Sequence, residues 1–272
     1  MRISTNTSRW YDRPWAAFIF FTRLPFWRIH QPPKDAYESV VEFWPLAGWL
    51  TGALMGAIIW FGSKVLPFSI DILAAIAARL LVTGALHEDG LADFFDGFGG
   101  GGKDRSRILA IMKDSHIGTF GVLSLIVYFA LFFECMLSLG PLYAALVAFT
   151  ADPFCKMVAG QITQILPYAR TEEQAKAHNI YRRFNIMAGV SLMVQGLTPF
   201  IGLLYFDAHW GSRLLDWNFL VAAPCLTMFF LYMLMLRRIK GYTGDCCGAV
   251  FLLCELAFHL TAVVLLTDNF TL

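Results

Sequence analysis

Residues 117–139 read Ile117-Gly118-Thr119-Phe120-Gly121-Val122-Leu123-Ser124-Leu125-Ile126-Val127-Tyr128-Phe129-Ala130-Leu131-Phe132-Phe133-Glu134-Cys135-Met136-Leu137-Ser138-Leu139. Glu134 is the one charge in this run, and the run is longer than the roughly 20 apolar residues a helix needs to cross a bilayer. Comparable runs lie on either side: Phe43–Gly62, Ile70–Leu86, Pro141–Leu166, Ile186–Phe206, Trp217–Leu236 and Gly248–Thr267. Together they predict seven spans. The shorter stretch Trp15–Phe26 is broken by Arg23 and Pro25 and reads as an interfacial or re-entrant helix. The same break and the polar start argue against a cleavable signal peptide.

Composition agrees. Of 272 residues, 57% are apolar and 15% charged, with mean hydropathy +0.58. Soluble domains carry about 25% charged residues, so lipid is the expected solvent for this chain. The net charge of +1 gives no reason to expect a nucleic-acid partner. The six cysteines form no Cys-x-x-Cys pair and sit mostly in apolar runs, which excludes a disulfide or zinc framework.

Basic residues favour the cytoplasmic side of a membrane. They cluster in four segments: Arg2, Arg9, Arg13, Arg23, Arg28 and Lys34 before the first span; Lys103, Arg105, Arg107 and Lys113; Arg170, Lys176, Arg182 and Arg183; and Arg237, Arg238 and Lys240. With seven spans all four fall on one face, leaving Lys64 and Arg213 on the other and Arg79 and Lys156 within spans. The expectation is an all-α, polytopic membrane helical bundle, one integral membrane domain over residues 1–272. Its N-terminus would be cytoplasmic and its C-terminus outside.

The chemistry-bearing residues come after the second span: His87-Glu88-Asp89-Gly90-Leu91-Ala92-Asp93-Phe94-Phe95-Asp96-Gly97. Asp89, Asp93 and Asp96 are spaced i, i+4, i+7 and lie within about 60° of one another on a helix. Clustered carboxylates repel unless a cation sits among them. Magnesium suits such a place, taking one or two carboxylates, waters and substrate phosphates. Glu88 adjoins the stripe. The glycines Gly99–Gly102 read either as a phosphate cradle or as a turn. Arg105, Arg107, Lys113 and His116 come next, and basic groups beside a carboxylate cluster suit a phosphate-bearing substrate. Near the other end, Gly241-Tyr242-Thr243-Gly244-Asp245 places a carboxylate at the start of the last span, as a functional group or a helix cap. Within spans, Asp152 and Lys156 read as an internal salt bridge, and Glu255 and His259 as groups facing the bundle interior.

His87-Glu88-Asp89-Gly90-Leu91-Ala92-Asp93 with Asp96-Gly97, then Ile111-Met112-Lys113-Asp114-Ser115 and Ile117-Gly118-Thr119, closely resemble the cobalamin synthase family, whose members are adenosylcobinamide-GDP ribazoletransferases. Thr22-Arg23-Leu24-Pro25 and Thr243-Gly244-Asp245 fit the same family in the same order, so the similarity spans nearly the whole chain. Phe94-Phe95, His116 and Cys246-Cys247 depart from the family pattern, and none removes a carboxylate.

The resemblance implies attack by a ribose hydroxyl of α-ribazole, or of its 5′-phosphate, on the phosphoanhydride of adenosylcobinamide-GDP. GMP leaves, and adenosylcobalamin or its phosphate forms. It implies Mg2+ as cofactor, with Asp89, Asp93 and Asp96 as ligands. Glu88 would be a further ligand or position the hydroxyl, and Asp245 would complete the site on the metal or as general base. Arg105, Lys113 and Arg170 become expected phosphate contacts; Arg23, Asp114 and Thr243 become expected substrate-binding residues. The implied place is the bacterial cytoplasmic (inner) membrane. A homo-oligomer, or association with other cobalamin-pathway enzymes, is compatible with it.

Two other readings carry less. A CDP-alcohol phosphotransferase would show Ala-Arg after its first Asp-Gly, where this chain has Leu91-Ala92-Asp93. A transporter would concentrate ionisable residues near mid-membrane, whereas these cluster at one interface.

Overall fold

The structure is a computed structural model that describes residues 9–170, 181–212 and 214–267. Arg2, Lys176 and Arg213, which contribute to the charge pattern, lie outside the described residues. Among the described residues the regular elements are helical, and one isolated bridge joins Tyr168 to Tyr242. Helix α1 (Asp12–Phe21) is followed by a 3-10 stretch, Lys34–Phe43, that leads into α2 (Trp44–Gly62). Next come α3 (Phe68–Thr83), α4 (Leu86–Gly100) and the short α5 (Arg105–Ile111). The remainder is α6 (Thr119–Gly160), α7 (Ile162–Ile165), α8 (Ile186–Trp210), α9 (Trp217–Arg238) and α10 (Gly244–Thr267).

Helix α1 has ten residues, or about 15 Å, half the thickness of a bilayer core. It buries Ala16, Ala17 and Phe21 and is too short to span.

Five helical stretches are long and apolar enough to cross a membrane: Lys34–Gly62, Thr119–Ile165, Ile186–Trp210, Trp217–Arg238 and Gly244–Thr267. Helices α3 and α4 qualify only as a pair bent by 89°. Length and composition therefore give five spans, or six with the bent pair, against the seven expected. The difference has two physical sources. Helix α3 is cut to 16 residues because Gly84 and Ala85 both turn left-handed. Helix α6 is broken at Gly140 (φ 69, ψ 167), beside Pro141. In one straight helix Tyr128 and Phe154 would stand roughly 39 Å apart. Here Tyr128 meets Glu255 and Phe154 meets Phe258, one turn apart on α10. The arms 119–139 and 141–160 therefore double back on each other.

Within lipid, helices gain nothing from hiding apolar surface from one another, so close van der Waals contact must hold them. Helix α2 presents Gly48, Gly52 and Gly56 at successive i+4 positions to the second arm of α6. A Cβ there would stand 2.8, 3.0 and 2.9 Å from backbone atoms of Pro153, Ala148 and Ala145.

Charges at this depth need partners. Arg79 Nη1 donates to Glu255 Oε1 at 2.7 Å, and Nη2 donates to the Tyr128 hydroxyl at 3.1 Å. That hydroxyl donates to Glu255 Oε2 at 3.0 Å, so α3, α6 and α10 share one ion-pair network. Lys156 pairs with Asp152, as the i, i+4 spacing predicts, and Thr51 of α2 donates to the same carboxylate at 2.6 Å. Three of the four groups a transporter would use, Asp152, Lys156 and Glu255, are thus held in ion pairs.

Replacing Glu255 with Leu removes the nearest counter-charge of Arg79, leaving it the Tyr128 hydroxyl and the more distant Glu88. The expected cost is about 3–5 kcal/mol, read as a lowered midpoint of unfolding in detergent. Pairing it with Arg79→Leu should recover much of that loss. A single variant as stable as the parent would refute the pairing.

Candidate active site

The site is set by where α4 lies. After the left-handed pair Gly84 (φ 65) and Ala85 (φ 55), α4 leaves α3 at 89° and runs across the start of α10. Two glycines let the helices touch. A Cβ on Gly90 would stand 2.9 Å from the Asp245 carbonyl oxygen, and one on Gly248 would stand 3.1 Å from that of His87. Gly90 of the acidic motif is therefore required by the close approach of Asp245 from the far end of the chain.

Asp89 and Asp245 consequently line one cavity of about 150 Å³, together with His87 and Arg170. The rest of its wall is largely aromatic, with Phe20 and Phe21 from α1, Trp44 from α2, and Tyr181. Phe21 stacks on Trp44 (centroids 5.3 Å apart, planes 13°), and Trp44 stacks on His87 (5.7 Å, 25°). Tyr168 and Arg170 belong also to an adjoining recess of about 600 Å³, which Arg105 and Lys113 line as well. The three cations expected at phosphate thus collect in one recess beside the acidic cavity.

The segments that carry these groups hold one another in place. Ala169 N donates to Tyr242 O at 2.8 Å, and Tyr242 N to Pro167 O at 3.0 Å. Arg105 Nε donates to Ile239 O at 2.7 Å and its Nη2 to Ala169 O at 2.8 Å. Arg170 Nη2 donates to Leu109 O at 3.2 Å and stands 3.9 Å from Asp245 Oδ2. The fully buried Thr243 accepts from Cys246 N at 3.4 Å, capping α10, and its hydroxyl contacts Asp245 Oδ2 at 3.3 Å. Thr243 therefore orients the carboxylate.

The three aspartates do share a stripe on α4, but their surroundings differ along it. Asp89 is exposed at the cavity, Asp93 is half-buried, and Asp96 is buried. Asp96 accepts from Gly118 N at 2.6 Å and Gly121 N at 2.8 Å, capping α6. Glu88 is buried on another face of α4, with Oε1 3.8 Å from Arg79 Nη2. The structure does not bring Asp93, Asp96 or Glu88 into the cavity, so of the four expected ligands only Asp89 lines it.

Arg23 is exposed at the α3–α4 bend, where its backbone N–H donates to Val82 O at 2.6 Å. Asp114 is exposed outside both hollows and accepts from His116. That bond holds the Asp114 carboxyl below its ordinary range and raises the His116 imidazole. The glycine run ends α4 and lets α5 fold back on it. A Cβ on Gly101 would stand 2.5 Å from Ile108, and these glycines line neither hollow.

The aromatic wall is the part of the site that sequence reasoning misses. Its signal is position: Phe20 and Phe21 abut Thr22-Arg23, and His87 opens the acidic motif.

Among the described residues, no three His, Cys, Asp or Glu side chains stand close enough to enclose an ion. Magnesium does not require such a cage, since one or two carboxylates with substrate phosphates suffice. Two hard oxygen donors on one cavity wall, beside a basic recess, fit that donor set.

The model of the cobalamin-5-phosphate synthase family matches residues 13–263. The adenosylcobinamide-GDP ribazoletransferase of Shewanella sp. (strain W3-18-1) is 31% identical over 255 residues, covering 91% of this chain and 92% of its own. The protein of that name from Leptospira interrogans is 30% identical over 257 residues, covering 93% and 96%. No solved structure matches.

The environments of the aspartates predict separable effects. Asp96→Ala leaves two amides without their acceptor and should cost about 2–4 kcal/mol of stability in thermal unfolding. Asp89→Ala, at an exposed position, should stay within about 0.5 kcal/mol. Equal losses would contradict the capping role of Asp96.

Proposed function

The chain belongs to the cobalamin-5-phosphate synthase family, and we propose that it joins adenosylcobinamide-GDP to α-ribazole or α-ribazole 5′-phosphate, releasing GMP. The observation that carries this reading is the meeting of Asp89 and Asp245, from motifs at opposite ends of the chain, on one cavity beside a basic recess.

Attack of a ribose hydroxyl on the phosphorus nearer the corrinoid forms one P–O bond and breaks the bond to GMP. Such transfer depends on alignment and on stabilising the charge that gathers on the phosphoryl oxygens, more than on covalent help. Lys113 and Arg170 bring positive charge to the recess where the diphosphate would lie. Arg105 acts mainly through its bonds to Ile239 O and Ala169 O, which hold the recess in shape. Asp245, oriented by Thr243, accepts the proton of the attacking hydroxyl. Asp89 and Asp245 would hold a Mg2+ ion, which when bound would neutralise diphosphate charge. Glu88 and Asp96 act by positioning α4 and α6.

We further propose the seven-crossing topology, with α3 and both arms of α6 each crossing, in the bacterial cytoplasmic membrane. The N-terminus and the site then face the cytoplasm. The contacts among the basic segments support this, because Arg105 and Arg238 reach across to Ala169 and Phe98. A reporter fused after Leu272 and active only outside the cytoplasm should give signal; a reporter active only inside should not, and the reverse result would overturn the topology.

Purified protein in lipid should release GMP from adenosylcobinamide-GDP and α-ribazole in equal amount to new cobalamin, and chelation of Mg2+ should abolish release. Asp89→Asn should lower turnover at least about 100-fold, on the scale of losing one charge-stabilising group. Gly90→Ala should lower it by about as much, because it forces α4 off Asp245. Full activity in Asp89→Asn would refute the assignment of the site.

A further inference from the structure

The cavity and the recess differ in a way that the reaction alone does not explain. The recess is larger and basic. The cavity, at about 150 Å³, is walled mainly by rings. An apolar space of about that size holds a single benzene ring, whereas sites for whole drug-sized ligands run to about 300–1,000 Å³. A corrin macrocycle cannot enter it. One end of a flat fused base can, beside the stack of Phe21, Trp44 and His87.

Three flat bases are present in the proposed reaction: guanine, the adenine of the adenosyl group and the dimethylbenzimidazole of α-ribazole. Guanine and adenine carry edges of donors and acceptors that must be met if buried. Of the polar groups on this wall, Asp89 is assigned to the metal, and the others named here are already engaged. The His87 Nε2 accepts from Trp44 Nε1 at 3.3 Å, Asp245 faces Thr243 and Arg170, and Arg170 donates to Leu109 O. Dimethylbenzimidazole asks for almost nothing of the kind: two fused rings, two methyl groups and one free ring nitrogen. Asp245 on the same lining then lies next to the attached ribose, whose hydroxyl is the nucleophile.

We propose that the cavity walled by Phe21, Trp44, His87 and Tyr181 seats the fused-ring base of the acceptor nucleoside, leaving the adjoining recess to the diphosphate. The inference rests on the reading of the reaction given above.

The test is steady-state kinetics of the full chain in lipid, varying each substrate in turn. Free 5,6-dimethylbenzimidazole should inhibit the parent protein competitively against α-ribazole and not against adenosylcobinamide-GDP. Gly244 lines the cavity, and a Cβ on it meets nothing within 4 Å. Gly244→Leu therefore starts from open space and extends into the cavity. It should raise the KM for α-ribazole tenfold or more, the scale on which a few methylenes discriminate, while the KM for adenosylcobinamide-GDP moves less than twofold. Tyr181→Ala, at a half-buried wall position, should show the same split. Inhibition competitive with adenosylcobinamide-GDP, or a rise confined to its KM, would give the cavity to a base of that substrate and overturn the proposal. Equal shifts for both substrates, or none, would overturn it as well. Parent protein that releases no GMP would instead remove the reaction, and the proposal with it.

Discussion

The ion pair between Arg79 and Glu255 is the constraint around which the molecule is arranged. A guanidinium among apolar helices has no water to turn to, so it must be answered by protein. Glu255 answers it at 2.7 Å, and Tyr128 bonds to both partners. This fixes α3 and the first arm of α6 against α10 in direction as well as in distance, which apolar contact in lipid cannot do. Glu88, one turn into α4, faces the same guanidinium at 3.8 Å. The deep pair thus governs how α4 sits, and α4 carries Asp89.

Helix α10 accordingly carries a gradient of environment along its length. Asp245 stands in its first turn, and Glu255 ten residues, or roughly 15 Å, further in. At the outer position a carboxylate can line an open cavity. At the inner one it must be paired. A diphosphate, which carries several charges, can be received only at the outer level. The chemistry is therefore confined to the end where α4 crosses α10, and Gly90 and Gly248 permit that crossing to be close.

The helical membrane fold was legible because apolar runs of about 20 residues have few other uses in a chain this poor in charge. Counting spans was harder. The reading of the sequence divides 117–139 from 141–166, where the structure has its break at Gly140, but hydropathy does not register that Gly84 and Ala85 end α3 early. The stripe Gly48, Gly52, Gly56 is visible in the sequence as small residues four apart. Its partner, the second arm of α6, is not, because spacing on one helix says nothing about which helix lies over it. The same limit applies to the site. The i, i+4, i+7 spacing put Asp89, Asp93 and Asp96 on one stripe, which α4 shows, but Asp96 lies where the start of α6 descends onto it. Glu88 is separated from Asp89 by one residue's turn, which is enough to aim it at Arg79.

The aromatic wall was the least legible part, and the reason is compositional. In a chain with 25 Phe and 8 Trp, a ring at a helix face reads as packing or as lipid contact. Only the fold shows that Phe21, Trp44 and His87, from three separate elements, stack beside two carboxylates. That arrangement also accounts for His87. Its ring is buried and accepts from Trp44 Nε1, so in this structure it serves as a fixed plate of the wall. In the proposed reaction the proton-accepting role then falls to a carboxylate at the open end. A site built this way separates its tasks by material. In the proposed reaction rings would hold the flat part of one substrate and cations the anhydride of the other, with the carboxylates of α4 and α10 where the two meet.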